Sequence, residues 1–321
     1  MKKLKEALAA ELPRINAALA AAAEELPAPV RPIARHILDA GGKRLRPFLT
    51  LLFARLFGPA GADSHRLAIT LELLHAATLL HDDVLDNARS RRGKAAAHTV
   101  FDVPAVILGG DALLSHANAI VASFGDARMT RCFSEATSST AAGEILEIAA
   151  RGRTDVSRRE YENMVRGKTA WLIRAACEMG ALAAGADAAG IQAAAAYGEN
   201  LGMAFQLVDD ALDFAPEEIT GKPTGGDARE GKFTPPLRLY RLSLADEARA
   251  AFDAAFACGL MTEDDAAAIA RRIRQVGYDA QTRAEAQRYL HAALAALRGL
   301  PDGAELSLLR ELCVYVRERG K

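Results

Sequence analysis

Cysteine is scarce, with four in 321 residues. Cys132, Cys177, Cys258 and Cys313 stand far apart and share no metal-ligand spacing, which argues against a zinc site and against a disulfide framework. Each falls in an apolar helical stretch and is expected as a reduced core thiol. Neither sign of charge dominates: 40 basic against 41 acidic residues leave a net charge of -1. No global field therefore draws the chain to nucleic acid or acidic lipid, and anion binding must come from local clusters. No apolar run reads as long enough to span a bilayer, and the N-terminus lacks the apolar core of a signal peptide. A cytoplasmic protein is expected. Alternation with period two is hard to find, so no large sheet is expected.

Helix formers fill the space these absences leave. Half the residues are hydrophobic, and alanine, the strongest helix former, is abundant. Leu4, Leu8 and Leu12 recur at helical spacing. Pro27-Ala28-Pro29 closes a first helix, and Gly41-Gly42 separates a second from a third. After the turn at Gly58-Pro59-Ala60-Gly61, one long helix is predicted from Ser64 to Asp86. Others are predicted over Pro104–Ser123, Ala127–Ala150, Ser157–Ala184 and Ala188–Phe214, followed by a polar loop from Pro216 to Gly231. The remaining helices look amphipathic and carry no obvious chemistry. The simplest account is a single all-α domain over residues 1–321.

The sharpest feature is Asp82-Asp83-Val84-Leu85-Asp86, whose pattern returns in Asp209-Asp210-Ala211-Leu212-Asp213. Both clusters follow an apolar helical run. Helical residues four apart share a face, so each cluster sets two carboxylates side by side with a third at the shoulder. Such crowding of like charge calls for a cation. Hard oxygen ligands suit Mg²⁺, which binds through one or two carboxylates plus substrate phosphates. A solvated acidic helix end would explain one such cluster. Two with the same spacing are better explained by metal.

Cations gather near these acids. Gly41-Gly42-Lys43-Arg44-Leu45-Arg46-Pro47 places three at a loop and helix start, Arg91-Arg92-Gly93-Lys94 follows the first cluster, Lys168-Thr169 lies mid-chain, and Lys222 and Lys232 flank the polar loop. Arginine meets phosphate bidentately and lysine supplies a mobile point charge. Any one of these alone reads as solvated surface. Together they suit a metal-bridged diphosphate.

These residues resemble the polyprenyl synthetase (trans-isoprenyl diphosphate synthase) family. The likeness is carried in order by the lysine–arginine loop, His81 with the first aspartate cluster, Arg91-Arg92-Gly93-Lys94, Gly110-Asp111, Gly143-Glu144, Gly167-Lys168-Thr169, Phe205-Gln206-Leu207-Val208 with the second cluster, Gly221-Lys222-Pro223 and Arg229-Glu230-Gly231-Lys232. It is most like the long-chain, octaprenyl-type bacterial members. The resemblance implies an isoprenoid-synthase-type helical bundle around a deep central cavity, usually a homodimer, with three Mg²⁺ ions when allylic diphosphate is bound. Asp82, Asp86 and Asp209 would ligate metal, supported by Asp83, Asp210 and Asp213. Arg91, Lys168, Lys222 and Lys232 would hold the allylic diphosphate. Lys43, Arg46, His75 and Arg92 would hold isopentenyl diphosphate, and Thr169 and Gln206 would line the reacting centre. Three departures stand out: Glu147 where glutamine is common, Asp102 where glycine is common, and the ending Phe233-Thr234-Pro235-Pro236.

In this family the residues before the first cluster help set product length. Here they are the small Ala77 and Thr78, so the tunnel reads as open. Leu74 and Leu71 lie further down that face, and Phe133 is a candidate floor, though also an ordinary core aromatic. A long-chain product for quinone side chains is expected, handed to the membrane after release. The alternatives are a farnesyl or geranylgeranyl synthase, a terpene cyclase and a non-catalytic partner subunit. Retention of Lys43, Arg46, Arg92 and both clusters argues against the last two. Glu72-x-x-His75 also fits a di-iron carboxylate motif, but such sites need two of them, and the sequence has one.

Overall fold

The structure, a computed structural model, describes residues 2–320 apart from Ala60, Ala62, Arg92 and Lys222. It is helical nearly throughout. The order is α1 (Lys2–Glu25), α2 (Arg31–Leu38), α3 (Leu45–Phe57), α4 (Ser64–Ala68), α5 (Thr70–Leu85), α6 (Val103–Ser123), α7 (Ala127–Ala150), α8 (Arg158–Val165), α9 (Trp171–Ala183) and α10 (Ala188–Leu212). Then come α11 (Glu217–Thr220), α12 (Gly226–Arg229), α13 (Pro235–Leu242), α14 (Asp246–Ala257), α15 (Glu263–Val276), α16 (Tyr278–Ala296) and α17 (Ala304–Glu318). The chain forms two compact units, and all but one of their dividing points fall inside helices. The first comprises Met1–Thr137, Leu172–Ala195 and Gly299–Leu309, the second Ser138–Trp171, Ala196–Arg298 and Arg310–Lys321.

In the first unit α3 and α5 are apolar over most of their surface and form its interior. Phe48, Leu49, Leu51, Leu52 and Phe53 on α3, and Leu71, Leu73, Leu74 and Leu80 on α5, are all buried. The helix predicted from Ser64 to Asp86 is interrupted at Ile69. There the Thr70 hydroxyl donates to the Leu67 carbonyl at 2.8 Å, the local competition by which threonine loosens a helix. A short antiparallel hairpin, β1 (Ser90–Arg91) with β2 (Lys94–Ala95), follows α5, where no strand was predicted. Helix α6 corrects a second expectation: by length and composition it is apolar enough to cross a membrane, with 39% of its apolar window buried. It packs along α5, yet leaves Val103, Ile107 and Leu108 exposed.

The second unit is built around Phe214, Phe233, Leu237, Phe252, Phe256, Ile269 and Ile273. A capping box starts α8: Ser157 N–H donates to Glu160 at 2.7 Å and Glu160 N–H to the Ser157 hydroxyl at 3.2 Å, satisfying two orphan donors at once. The helix predicted from Ser157 to Ala184 does not run regularly. Between α8 and α9, Arg166–Ala170 forms a π-helical turn, a distortion that concentrates at functional sites. The predicted loop 216–231 contains the two short turns α11 and α12. Of the cysteines, Cys132, Cys177 and Cys313 are buried as expected, but Cys258, just past the end of α14, is exposed.

Candidate active site

The first aspartate cluster ends α5. Asp83 is fully buried, and its Oδ1 accepts two hydrogen bonds from the Arg91 guanidinium on β1, the Nε bond at 2.8 Å. Asp82 and Asp86 are half-buried. Behind the cluster, His81 lies where a side chain on Gly110 would be, since a Cβ there would come 2.3 Å from Nε2. His81 contacts the Ile107 carbonyl at 3.0 Å and Asp111 at 3.5 Å. The Gly110-Asp111 pair thus seats the histidine that precedes the acids.

Arg91, expected on a diphosphate, pairs with Asp83 in this structure. Glu72 pairs with Arg44 at 2.8 Å, both side chains being at most 5% exposed, which leaves the di-iron reading without its glutamate. His75 and Arg46 are half-buried and Lys43 is exposed. Ala77 is buried, Thr78 is half-buried with its hydroxyl on the His75 carbonyl at 2.9 Å, and Phe133 is fully buried. Arg92 and Lys222 lie outside the described residues.

The second cluster ends α10 beside a cavity of about 180 Å³ whose lining includes Lys168, Thr169, Gln206, Asp210 and Lys232. The Thr169 hydroxyl donates to Gln206 Oε1 at 2.9 Å, and Gln206 Nε2 donates to Asp210 Oδ1 at 2.8 Å. The Tyr161 hydroxyl donates to Asp210 Oδ2. Burial pushes the Asp210 carboxyl up to about 7, against the downward pull of these bonds. Asp213 is turned to the following loop, where Oδ2 accepts the Asp227 N–H at 2.9 Å. Asp209 lies 2.5 Å from Arg319 Nη1, an ion contact rather than an aligned hydrogen bond. The same guanidinium stacks 4.2 Å over Phe205.

Lys168 meets Glu144 at 2.6 Å and Glu147 at 2.8 Å. Lys232 meets Glu230 at 2.7 Å and Glu147 at 3.6 Å. Burial works against both ammonium charges, but the acids outweigh it and hold both lysines above their ordinary range. Lys168 reaches its place because α7 and the π turn touch backbone to backbone. A Cβ on Gly143 would come 2.3 Å from the Lys168 nitrogen, and one on Gly167 would come 2.7 Å from the Ser139 carbonyl. Phe233 explains the unusual ending of the lysine loop: it is 8% exposed and packs edge-on against Phe256 at 5.7 Å, anchoring Lys232.

A family model for polyprenyl synthetase matches residues 27–272. The chain belongs to the polyprenyl synthetase family. Membership agrees with the two clusters, the cation sets and the all-α architecture. Heptaprenyl diphosphate synthase component 2 of Geobacillus stearothermophilus is 36% identical over 99% of either chain. A geranylgeranyl diphosphate synthase of Methanosarcina mazei is 34% identical over 89% of this chain and 88% of its own. Among solved structures, a decaprenyl diphosphate synthase from Rhodobacter capsulatus superposes with TM-score 0.91 at 35% identity, covering 100% of this chain and 99% of its own. A polyprenyl synthase from Caulobacter crescentus, complexed with calcium and isoprenyl diphosphate, gives 0.92 at 34%, covering 100% and 98%.

The residues suit the divalent cation that polyprenyl synthetases generally require. Asp83 Oδ2 and Asp227 Oδ2 are buried carboxylate oxygens without a hydrogen-bond partner, and all the candidate donors are hard oxygens. Among the described residues, no three His, Cys, Asp or Glu side chains form a ready-made metal cage. Hard oxygen donors suit Mg²⁺, which takes few carboxylates and completes its shell with water and substrate phosphate. Four elements of this polyprenyl synthetase escaped sequence reasoning: the Arg44–Glu72 pair, Tyr161, the acids around the lysines, and Arg319. Arg44, Glu72, Glu144, Glu147 and Glu230 were each noted within a motif or as a departure, but not in these pairings; Tyr161 and Arg319 carried no signal.

Proposed function

We propose that the protein is a Mg²⁺-dependent trans-prenyltransferase of the cytoplasm, a single catalytic domain that adds isopentenyl diphosphate to an allylic diphosphate. Its product is a long all-trans polyprenyl diphosphate, octaprenyl-like, of the kind that supplies quinone side chains. The observation that carries this reading is the second cluster's setting, where Asp210, Gln206 and Thr169 form one hydrogen-bonded row in a cavity that also holds Lys168 and Lys232.

Arg91, Lys168, Lys222 and Lys232 bind the allylic diphosphate, and Lys43, Arg46, His75 and Arg92 bind the isopentenyl diphosphate. Mg²⁺ at Asp82, Asp86 and Asp209 would neutralise the leaving diphosphate as the allylic C–O bond ionises. Thr169 and Gln206 orient their dipoles at the reacting carbons, and the apolar lining, Met164 and Val165 included, excludes water from the cation. The double bond of isopentenyl diphosphate attacks, and the proton then lost passes to the departing diphosphate. The exposed apolar residues of α6 support a homodimer, with a second copy covering them.

Product length rests on α5. Ala77 and Thr78 present small side chains ahead of the first cluster, and each helical turn rises about 5.4 Å, roughly one prenyl unit. Leu71 and Leu74, buried on the same helix, narrow the path without closing it; the alternative is a short farnesyl or geranylgeranyl product. The test is incubation with Mg²⁺, farnesyl diphosphate and labelled isopentenyl diphosphate, resolving products by length. Chains well beyond geranylgeranyl are expected, and Ala77→Tyr should shorten them. A ladder stopping at geranylgeranyl sinks the long-chain reading, and no incorporation sinks the activity.

A further inference from the structure

Arg44 lies between two residues read as isopentenyl diphosphate ligands but does something different from either. Its backbone is left-handed, with φ 47° and ψ 38° at the start of α3, after Gly41 and Gly42 at φ 75° and 146°. Glycine adopts such values freely, whereas an arginine there is strained. Strain of this kind persists only where surrounding contacts impose it, and here the contacts are many. Arg44 Nη1 donates to Glu72 Oε1 at 2.8 Å, Nη2 donates to the Leu38 carbonyl, and Nε donates to Asn16 Oδ1 at 3.2 Å. The guanidinium is thereby bound to α1, to the end of α2 and to α5, all within the first unit. Both charges of the ion pair are at most 5% exposed.

The side chain that turns inward at Arg44 leaves Lys43 exposed and Arg46 half-buried on either side. Its partner Glu72 lies three residues before His75, about one turn away on the same helix. One buried ion pair therefore joins the loop bearing Lys43 and Arg46 to the helix bearing His75. We propose that Arg44–Glu72 is a positioning pair for the isopentenyl diphosphate subsite, holding the cations of the loop in register with His75. The proposal rests on the reading of Lys43, Arg46 and His75 given above. Neither member of the pair touches substrate. A pair that served stability alone would, when removed, lower the melting temperature and leave the balance between the two substrates unchanged.

The experiment uses full-length protein and separate KM values for isopentenyl diphosphate and for farnesyl diphosphate. Breaking only one side of a buried pair strands a charge and endangers folding. The main variant is therefore the double change Arg44→Gly with Glu72→Gln, which removes both charges and puts a residue at position 44 that tolerates the left-handed backbone. Its KM for isopentenyl diphosphate should rise about tenfold, in line with the cost of misplacing a binding group by a fraction of an ångström. The KM for farnesyl diphosphate should stay within about twofold. A milder variant, Asn16→Ala, removes one bond to Arg44 and should move the same KM in the same direction by a smaller factor. Equal changes in both KM values, or none, in both variants would overturn the proposal.

Lys43→Ala separates the two layers of the argument. If it raises the isopentenyl KM in the native background but has little further effect in the double variant, the pair acts through the loop. Full additivity of the two effects rejects positioning while leaving the subsite in place. If Lys43→Ala and Arg46→Ala both leave that KM unchanged, the subsite assignment itself is wrong and the pair falls with it.

Discussion

Asp83 and Asp210 hold the same place in two copies of one five-residue pattern, but their surroundings differ. Asp83 is buried against a cation, since Arg91 brings two N–H groups to one oxygen. Asp210 is buried against neutral donors, a phenol and an amide. The first arrangement cancels the middle charge in advance. The second solvates it without cancelling it, so burial, helped by the neighbouring Asp209, holds its pKa up at about 7. The second cluster thus has more to gain from an added cation. The cluster's leading acid, Asp209, lies against the Arg319 guanidinium. Spacing alone makes the two motifs look equivalent, and their neighbours make them different.

The largest expected effect tests what the clusters share. Asp82→Ala and Asp209→Ala should each lower kcat by at least about 10²–10³-fold, the scale of removing one electrostatic partner of a transition state. Steady-state turnover at saturating substrate, with Mg²⁺ titrated, measures both. A variant with native turnover would remove its cluster from catalysis and end the symmetry between them.

A smaller effect measures what the clusters do not share. Arg91→Ala leaves a fully buried carboxylate without its cation. Breaking a buried pair costs about 3–5 kcal/mol, and with Arg91 itself 31% exposed a discounted loss of about 2–3 kcal/mol is expected. Tyr161→Phe removes one neutral donor while Gln206 remains, and should cost about 1 kcal/mol. Urea unfolding of both variants checks the order. If Tyr161→Phe proves the costlier, the contrast between a cancelled and a merely solvated charge is wrong.

Much of this was legible because helices encode neighbours at short range. Gln206 and Asp210 are four apart, and their contact follows from that spacing. The ends of α6 and α7 fell within a residue of expectation, with Pro104 near the start of α6 as its fixed φ favours. What escaped was set by packing between distant segments. Arg44 meets Glu72 across 28 residues and Tyr161 meets Asp210 across 49, and no local period announces either. The π turn at Arg166–Ala170 follows from the crossing at Gly143 and Gly167, a tertiary fact. The family pattern marked Phe233 as a departure, but its role as the anchor of Lys232 needed the aromatic cluster of the second unit. Arg319 went unread because nothing in the amphipathic C-terminal helix distinguishes it from its solvated neighbours.

The smallest expected effect concerns how acids are used beside substrate cations in the two regions. In the first, Glu72 is buried and pairs with Arg44, which stands between Lys43 and Arg46, the residues proposed to bind isopentenyl diphosphate. In the second, Glu147 contacts the lysines proposed to bind the allylic diphosphate, Lys168 at 2.8 Å and Lys232 at 3.6 Å, and is 23% exposed. Incoming diphosphate must approach two lysines that already share an anion. Glu147→Gln removes that anion and keeps a hydrogen-bond acceptor of the same shape. Loss of one like charge at a partly solvated site changes binding by about 1 kcal/mol, so the allylic KM should fall about threefold to fivefold with kcat within about twofold. Isopentenyl diphosphate KM should not move. A rise in the allylic KM would instead mean that Glu147 orients the lysines, which would bring the second region into line with the first and erase the distinction drawn between them.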